Sequence, residues 1–183
     1  MVTAAEVLSV AAFGDGRFAQ AFPSFGSERT GAPVVAFCRI DATPIRTREP
    51  IVAPDALIVQ DATLAHQVDL FSGWLPGGFL LVNSSRSFDE LGLSDLVASH
   101  GGVRLLTIPA TELALEHTGR PVPNAVLLGG FAALTGAVSI DAVAHAIGAR
   151  FSGKVATGNI SAAREAYRIV AGRRGVLADA SPG

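Results

Sequence analysis

Apolar positions along the 183-residue chain follow two rhythms, and the change between them near Pro109 divides the molecule. Before it, short runs of branched and aromatic residues alternate with helical stretches; after it, apolar positions recur at helical spacing. Residues 2–12, VTAAEVLSVAA, read as a small-residue helix over 3–13, followed by a short strand. A loop dense in glycine and proline comes next, from Pro23 to Pro33, and then a β-hairpin is expected over 34–45. Residues 55–61 make a short branched run bounded by Pro54 and Asp61, the pattern of a strand buried on both faces, which implies a parallel sheet. Asp61 and Thr63 offer N-cap chemistry for a helix over 64–70, and the glycine-rich turn at 73–78 leads into a strand over 79–83. Ser84 to Ser87 are expected to cap a helical stretch ending at 96–99, and 103–108 supplies a third central strand.

The last third is predicted to be helical throughout, over 110–116, 124–135, 140–151 and 160–171, with Gly119, Gly136 and Gly153 near the ends. Asn124 and Asn159 read as N-caps, and Gly129-Gly130 as a place of close helix packing. The tail over 173–183 has little to bury and reads as frayed. Strands alternating with helices predict a three-layer α/β/α fold with a mixed, mainly parallel sheet and a helical C-terminal third, as a single domain over 1–172. Its parallel strands centre on Leu57, Leu80 and Leu105, and its antiparallel portion is the 34–45 hairpin.

Composition narrows the function. With 49% hydrophobic and 16% charged residues the chain can enclose a real core, and a net charge of -2 offers no field for phosphate backbones, so nucleic acid is not an expected partner. The mean hydropathy of +0.42 is high for a chain without a membrane span and points to a subunit interface. No cationic leader precedes an apolar segment, and no apolar run approaches the ~20 residues of a membrane helix, so the expected location is the cytoplasm. Cys38 is the only cysteine, which excludes an internal disulfide and a four-cysteine cluster; mid-strand, it reads as a buried small hydrophobe.

Chemical candidates are few. His66, His100, His117 and His145 stand in no recognised ligand spacing and read as helix-surface or helix-end residues, so no metal site is expected. Ser84 lacks the G-x-S-x-G elbow and reads as a cap; a small hydrolase would rest on Ser84 or Ser24 alone. Gly14-Asp15-Gly16 follows a helix and lacks a third glycine, so it reads as a helix terminus and not a dinucleotide cradle. What remains is the stiff loop Pro23-Ser24-Phe25-Gly26-Ser27-Glu28-Arg29-Thr30-Gly31-Ala32-Pro33, which presents an adjacent Glu-Arg pair on a backbone shaped by glycine and proline.

In its order of helix, strand, P-S-F-G-x-E-x-T-G loop and hairpin, the chain resembles the gamma subunit or domain of the 2-oxoacid:acceptor oxidoreductases, the pyruvate, 2-ketoisovalerate, indolepyruvate and phenylglyoxylate ferredoxin-type enzymes. The family's loop commonly runs P-S-[YF]-G-x-E-x-R-G-G, with Thr30 and Ala32 here in place of Arg and the second Gly. The helix beginning NAVLLGG at Asn124 and the GNISAA run at Gly158 also resemble family features, and are read as fold-specific. The resemblance implies a subunit of a complex that decarboxylates a 2-oxoacid oxidatively and forms an acyl-CoA. It implies alpha, beta and ferredoxin-like delta partners, with thiamine diphosphate and Mg²⁺ held by alpha and beta. The [4Fe–4S] clusters would sit in the ferredoxin-like chains, and FAD in an NAD-linked partner. No cofactor is expected on this chain alone, and no catalytic residue; the isolated chain is expected to be inactive. The candidate interface or active-site-proximal loop is Ser24, Phe25, Gly26, Glu28, Arg29, Thr30 and Gly31.

The resemblance also implies a first strand and a glycine-rich loop ahead of the 3–13 helix; either Met1 is an internal methionine, which is the reading preferred here, or that loop is truly lost. A reading from a different class is a free-standing α/β protein that binds a nucleotide or CoA-like ligand at the carboxyl ends of its strands.

Overall fold

The computed structural model describes residues 1–24, 34–67, 69–74, 77–100 and 104–179. The chain opens with α1 (Val2–Gly14), whose small residues let it lie close beneath two strands, β1 (Phe18–Ser24) and β2 (Val35–Asp41). These pair antiparallel, Phe18 opposite Asp41 through Ser24 opposite Val35. The parallel sheet follows in the order β3 (Ala56–Val59), β4 (Phe79–Asn83), β5 (Leu105–Ile108), with Leu57, Leu80 and Leu105 aligned across it. A short helix α2 (Ser94–His100) precedes β5, and the remainder is α3 (Ala110–Thr118), α4 (Asn124–Thr135), α5 (Ile140–Arg150) and α6 (Gly153–Asp179).

The parallel strands are buried on both faces, as their unbroken apolar runs require. Leu81 and Ile108 face a core built by α1, α4, α5 and α6, while Leu80, Val82 and Leu105 face Val59, Trp74, Leu91 and Leu93 on the other side. This is the expected α/β/α layering with a helical C-terminal third, although the second outer layer is made largely of turns. The centre is α4, in which every residue from Ala125 to Leu134 is buried, so it is apolar all round. Gly129 is required there: a Cβ would run into the backbone carbonyl of Ala163 on α6, which confirms Gly129-Gly130 as a close helix contact.

Several local expectations are corrected. The antiparallel partner of β2 is β1, not a second arm within 34–45, and the pair forms a sheet separate from β3-β4-β5. The physical cause is an Asx turn, in which Asp41 accepts from the Thr43 amide at 2.9 Å, followed by Pro44, which has no donor to continue a ladder. The 64–70 helix is a 3₁₀ turn (Ala62–His66), capped by Asp61 as expected but closed at once by a Gln67-to-Leu64 bond. The 84–99 helix is confined to α2, because Gly92 takes a φ of +70° and breaks the run; the serines serve turns ahead of it.

Asn159 is not a cap, since α6 begins at Gly153; its amide donates to the Val155 carbonyl at 2.8 Å inside the helix. Asn124 is the first helical residue of α4 with Pro123 at the cap, and its side-chain oxygen is buried without a partner. Of the tail read as frayed over 173–183, α6 continues as far as Asp179, with Arg173 and Arg174 donating to the carbonyls of Thr107 and Ala133, each at 2.7 Å, and residues 180–183 lie outside the described residues.

Candidate functional site

The loop that begins at Ser24 is carried at the end of the β1–β2 pair, where Ser24 stands opposite Val35. Strand pairing fixes the two roots about 5 Å apart. The pair is stiffened on one face by Phe22 and Phe37, whose ring centroids lie 5.4 Å apart, and by the Arg39 guanidinium 5.8 Å over the Phe22 ring. On its other face Ala19, Cys38 and Ile40 pack on the main core. Val34 and Val35, at the downstream root, are exposed. Phe25, Gly26, Glu28, Arg29, Thr30 and Gly31 lie outside the described residues.

Two hollows flank the parallel sheet. The larger, a groove of about 1560 Å³, runs between β2 and β3 and is floored by Leu8, Leu128 and Phe131. The smaller, about 660 Å³, opens at the carboxyl ends of β3 and β4, where the nucleotide or CoA reading would place its ligand. Its charged lining is Asp61, Glu112 and Arg86, two anions against one cation, which does not suit a polyphosphate. Asp61 is already engaged, accepting from Thr63 Oγ at 2.7 Å.

Asn83, which closes β4 beside this cleft, organises it. Its amide donates to the Gln60 carbonyl at 2.9 Å and to Thr111 Oγ at 2.8 Å, while its oxygen accepts from the Ala110 and Thr111 amides that open α3. One side chain thus ties β3, β4 and the next helix together. Sequence reasoning missed it; the available signal was an asparagine ending an apolar strand, FLLVN, where an apolar residue was due. The Asp15 carboxylate, which accepts from Ser139 Oγ at 2.7 Å and joins the end of α1 to the start of α5, was missed likewise. Gly14-Asp15-Gly16 is the helix terminus expected of it.

The remaining candidates fall apart from one another. Ser84 Oγ accepts from the Arg86 amide at 3.0 Å, closing a turn instead of capping a helix. Ser87 and Glu90 bond reciprocally, and the Ser87 amide and hydroxyl hold the Glu90 carboxyl below its ordinary range. His66 Nε2 lies 2.8 Å from the Leu91 carbonyl, His117 Nδ1 lies 3.1 Å from Ser161 Oγ on the α3–α6 surface, and His145 is exposed on α5. His100 ends α2. Burial pushes the Cys38 thiol up to about 12, so it stays protonated and unreactive near neutrality. Among the described residues no three His, Cys, Asp or Glu side chains gather to hold a metal ion.

Fold and site define a class: a three-layer α/β domain around a parallel sheet, with its candidate loop at the tip of an antiparallel pair and a closed helical flank. The sequence profile of the pyruvate ferredoxin/flavodoxin oxidoreductase family matches residues 1–169, and the chain belongs to that family. It is 48% identical to the pyruvate synthase subunit PorC of Methanothermobacter thermautotrophicus over 166 residues, 91% of this chain and 87% of that protein. It is 44% identical to the pyruvate/ketoisovalerate oxidoreductases common subunit gamma of Thermococcus kodakarensis, across 91% of this chain and 88% of that one. The crystal structure of pyruvate oxidoreductase subunit PORC from Thermotoga maritima superposes with a TM-score of 0.73 at 32% identity, covering 91% and 88% of the two chains. The resemblance carried by the P-S-F-G loop is therefore confirmed.

Proposed function

We propose that the chain is the gamma subunit of a cytoplasmic, multi-subunit, thiamine-diphosphate-dependent 2-oxoacid:acceptor oxidoreductase. The observation that carries this reading is the 48% identity, over nearly the whole chain, to a protein named as a pyruvate synthase subunit. The complex takes a 2-oxoacid and CoA to an acyl-CoA and CO₂, and passes the two electrons released to ferredoxin or NAD. This chain's part is assembly. A relative is named as a subunit common to pyruvate and ketoisovalerate oxidoreductases, and a subunit shared by two such enzymes does not choose the acid.

The donor chemistry supports that division of labour. A [4Fe–4S] cluster takes four thiolates and this chain has one cysteine. Mg²⁺ beside thiamine diphosphate takes several oxygen ligands, and among the described residues no carboxylate cluster offers them. Those groups are assigned to the alpha, beta and ferredoxin-like delta subunits. The loop from Ser24 to Gly31, with Glu28 or Arg29 paired across the interface, is assigned to contact with them near the active site.

Co-expression tests the reading. With all subunits present, CoA-dependent 2-oxoacid oxidation coupled to reduction of ferredoxin is expected, and omission of this chain is expected to abolish assembly or activity. The chain alone is expected to carry neither iron nor flavin. A soluble monomer that binds CoA tightly by itself would favour the free-standing reading instead.

A further inference from the structure

One side of α1 is buried and the other is not. Ala4, Ala5, Val7, Leu8, Ala11 and Ala12 are packed inward, and the residues left exposed from Val2 to Phe13 are Glu6, Val10 and Phe13. At about 100° of rotation per residue these three fall within about 60° of one another, so they form a single stripe along the outer side of the helix. An outward helix face is ordinarily polar, and one apolar residue on it needs no explanation. This stripe carries two, one turn apart: Val10 is 50% exposed and Phe13 74%, the most exposed aromatic ring among the described residues.

Two charges bracket the apolar pair. Glu6 stands one turn ahead of Val10, and Arg17 follows Phe13 in the turn that closes the helix, where its amide donates to the Ala12 carbonyl at 2.9 Å. Both are exposed, and among the described residues the ion pairs are Arg164 with Asp141 and Arg168 with Glu165, so neither is engaged in one. Arg17 acts on the Asp41 carboxyl only from a distance. The order Glu6, Val10, Phe13, Arg17 is symmetric in position and opposite in charge about the point midway between Ala11 and Ala12. Two such helices laid antiparallel about a twofold axis through that point set Val10 against Phe13 of the second copy and Glu6 against Arg17 of the second copy, each contact occurring twice.

We propose that the outer stripe of α1 is a contact between two copies of this chain, related by a twofold axis that crosses the helix between Ala11 and Ala12. The self-complementary charges select a second copy over an unrelated partner, because like charges placed opposite one another would reject any other register of the same two helices. Phe13 and Val10, with the stems of Glu6 and Arg17, cover less area than a permanent dimer needs, so the contact is weak in the isolated chain. This inference does not rest on the functional reading, because it follows from the spacing and exposure of α1 alone.

Sedimentation equilibrium of the full chain tests it. A monomer–dimer equilibrium is expected, with dimer populated as the concentration is raised to about 1 mM, as suits a small interface. Phe13→Ser is expected to abolish the dimer. Glu6→Arg and Arg17→Glu are each expected to weaken it at least about tenfold, since every reversal acts at two symmetric pairs. The double variant Glu6→Arg with Arg17→Glu restores opposite charges across the axis and is expected to recover the dimer, which also shows that the single variants are folded. A chain that stays monomeric throughout that range overturns the proposal, and protection of α1 on co-expression with other subunits would then assign the stripe to one of them. A dimer indifferent to the single reversals, or not recovered in the double variant, overturns it as well.

Discussion

α4 and the β1–β2 pair are made of similar material and meet opposite fates. From Ala125 to Leu134 every α4 residue is buried, whereas no residue of FAQAFPS or VAFCRID falls below half-buried into the core. The helix is enclosed by its own chain, with α6 so near that Gly129 has no room for a Cβ. The strand pair has α1 on one face, a groove along one edge and the candidate loop at its tip. One region is finished by intramolecular packing; the other leaves Phe18, Val34 and Val35 exposed.

The largest expected effect falls on the finished region. Gly129→Ala forces a methyl against the Ala163 backbone, which cannot swing aside as a side chain would, and is expected to destabilise the chain by about 3 kcal/mol. Denaturant unfolding measures this directly. Phe37→Ala in the strand pair is expected to cost less than half as much in the same isolated chain, because its ring is only half-buried there. If the two costs came out equal, the contrast between enclosed helix and open strand pair would fail.

Next is Asn83, which belongs with the finished region although it is polar. Asn83→Ala leaves the Ala110 and Thr111 amides and the Gln60 carbonyl without their partner, and is expected to cost about 2 kcal/mol. Asn83→Asp keeps the acceptor for the α3 amides but loses both donated bonds, so it should recover part of that loss. A thermal melt that placed Asp level with Ala would show that the amide donors, not the helix cap, carry the contribution.

The finished region was also the more legible one. Buried strands such as FLLVN announce themselves as unbroken apolar runs, and α4 could be located from its spacing and closing Gly136. What escaped reading depends on contacts far apart in sequence. Nothing near Phe18 says that β1 rather than 42–45 pairs with β2, because Asp41 and Pro44 end the strand through a turn whose bond is visible only in three dimensions. The length of α6 was underestimated because Gly158 and the polar residues past 172 look like stops; Gly158 is instead small to admit the His117 carbonyl, and Arg173 and Arg174 find carbonyls to anchor them. The loop motif gave the family and its root, but Asn83, which joins β3, β4 and α3, carried no motif.

On the open side, the loop should govern association without touching stability. Arg29→Glu is expected to weaken binding to the other subunits at least about tenfold, as for truncation of a charge paired across an interface, while the melting temperature of the isolated chain stays unchanged. Analytical co-purification with and without added salt reads the first, and calorimetry the second. Unchanged association would remove the loop from the interface.

The smallest effect is at the base of the same strand pair. Asp41 accepts from the Thr43 amide at 2.9 Å and from its hydroxyl at 3.1 Å, and those bonds hold its carboxyl below the ordinary aspartate range. The ionised form is the one bonded in the fold, so its contribution is complete above the unfolded-chain value of about 3.9 and is lost as the pH falls through the lowered native value. The group is fully exposed, and water screens what the turn gains. Titration of the Thr43 amide by NMR is therefore expected to give a midpoint below that of an unstructured aspartate, and Asp41→Asn to loosen exchange at Thr43 without moving the unfolding transition of the helical flank. If that substitution lowered the global transition as far as Asn83→Ala does, the strand pair would be as tightly coupled to the core as α4 is, and the division between the two regions would have to be redrawn.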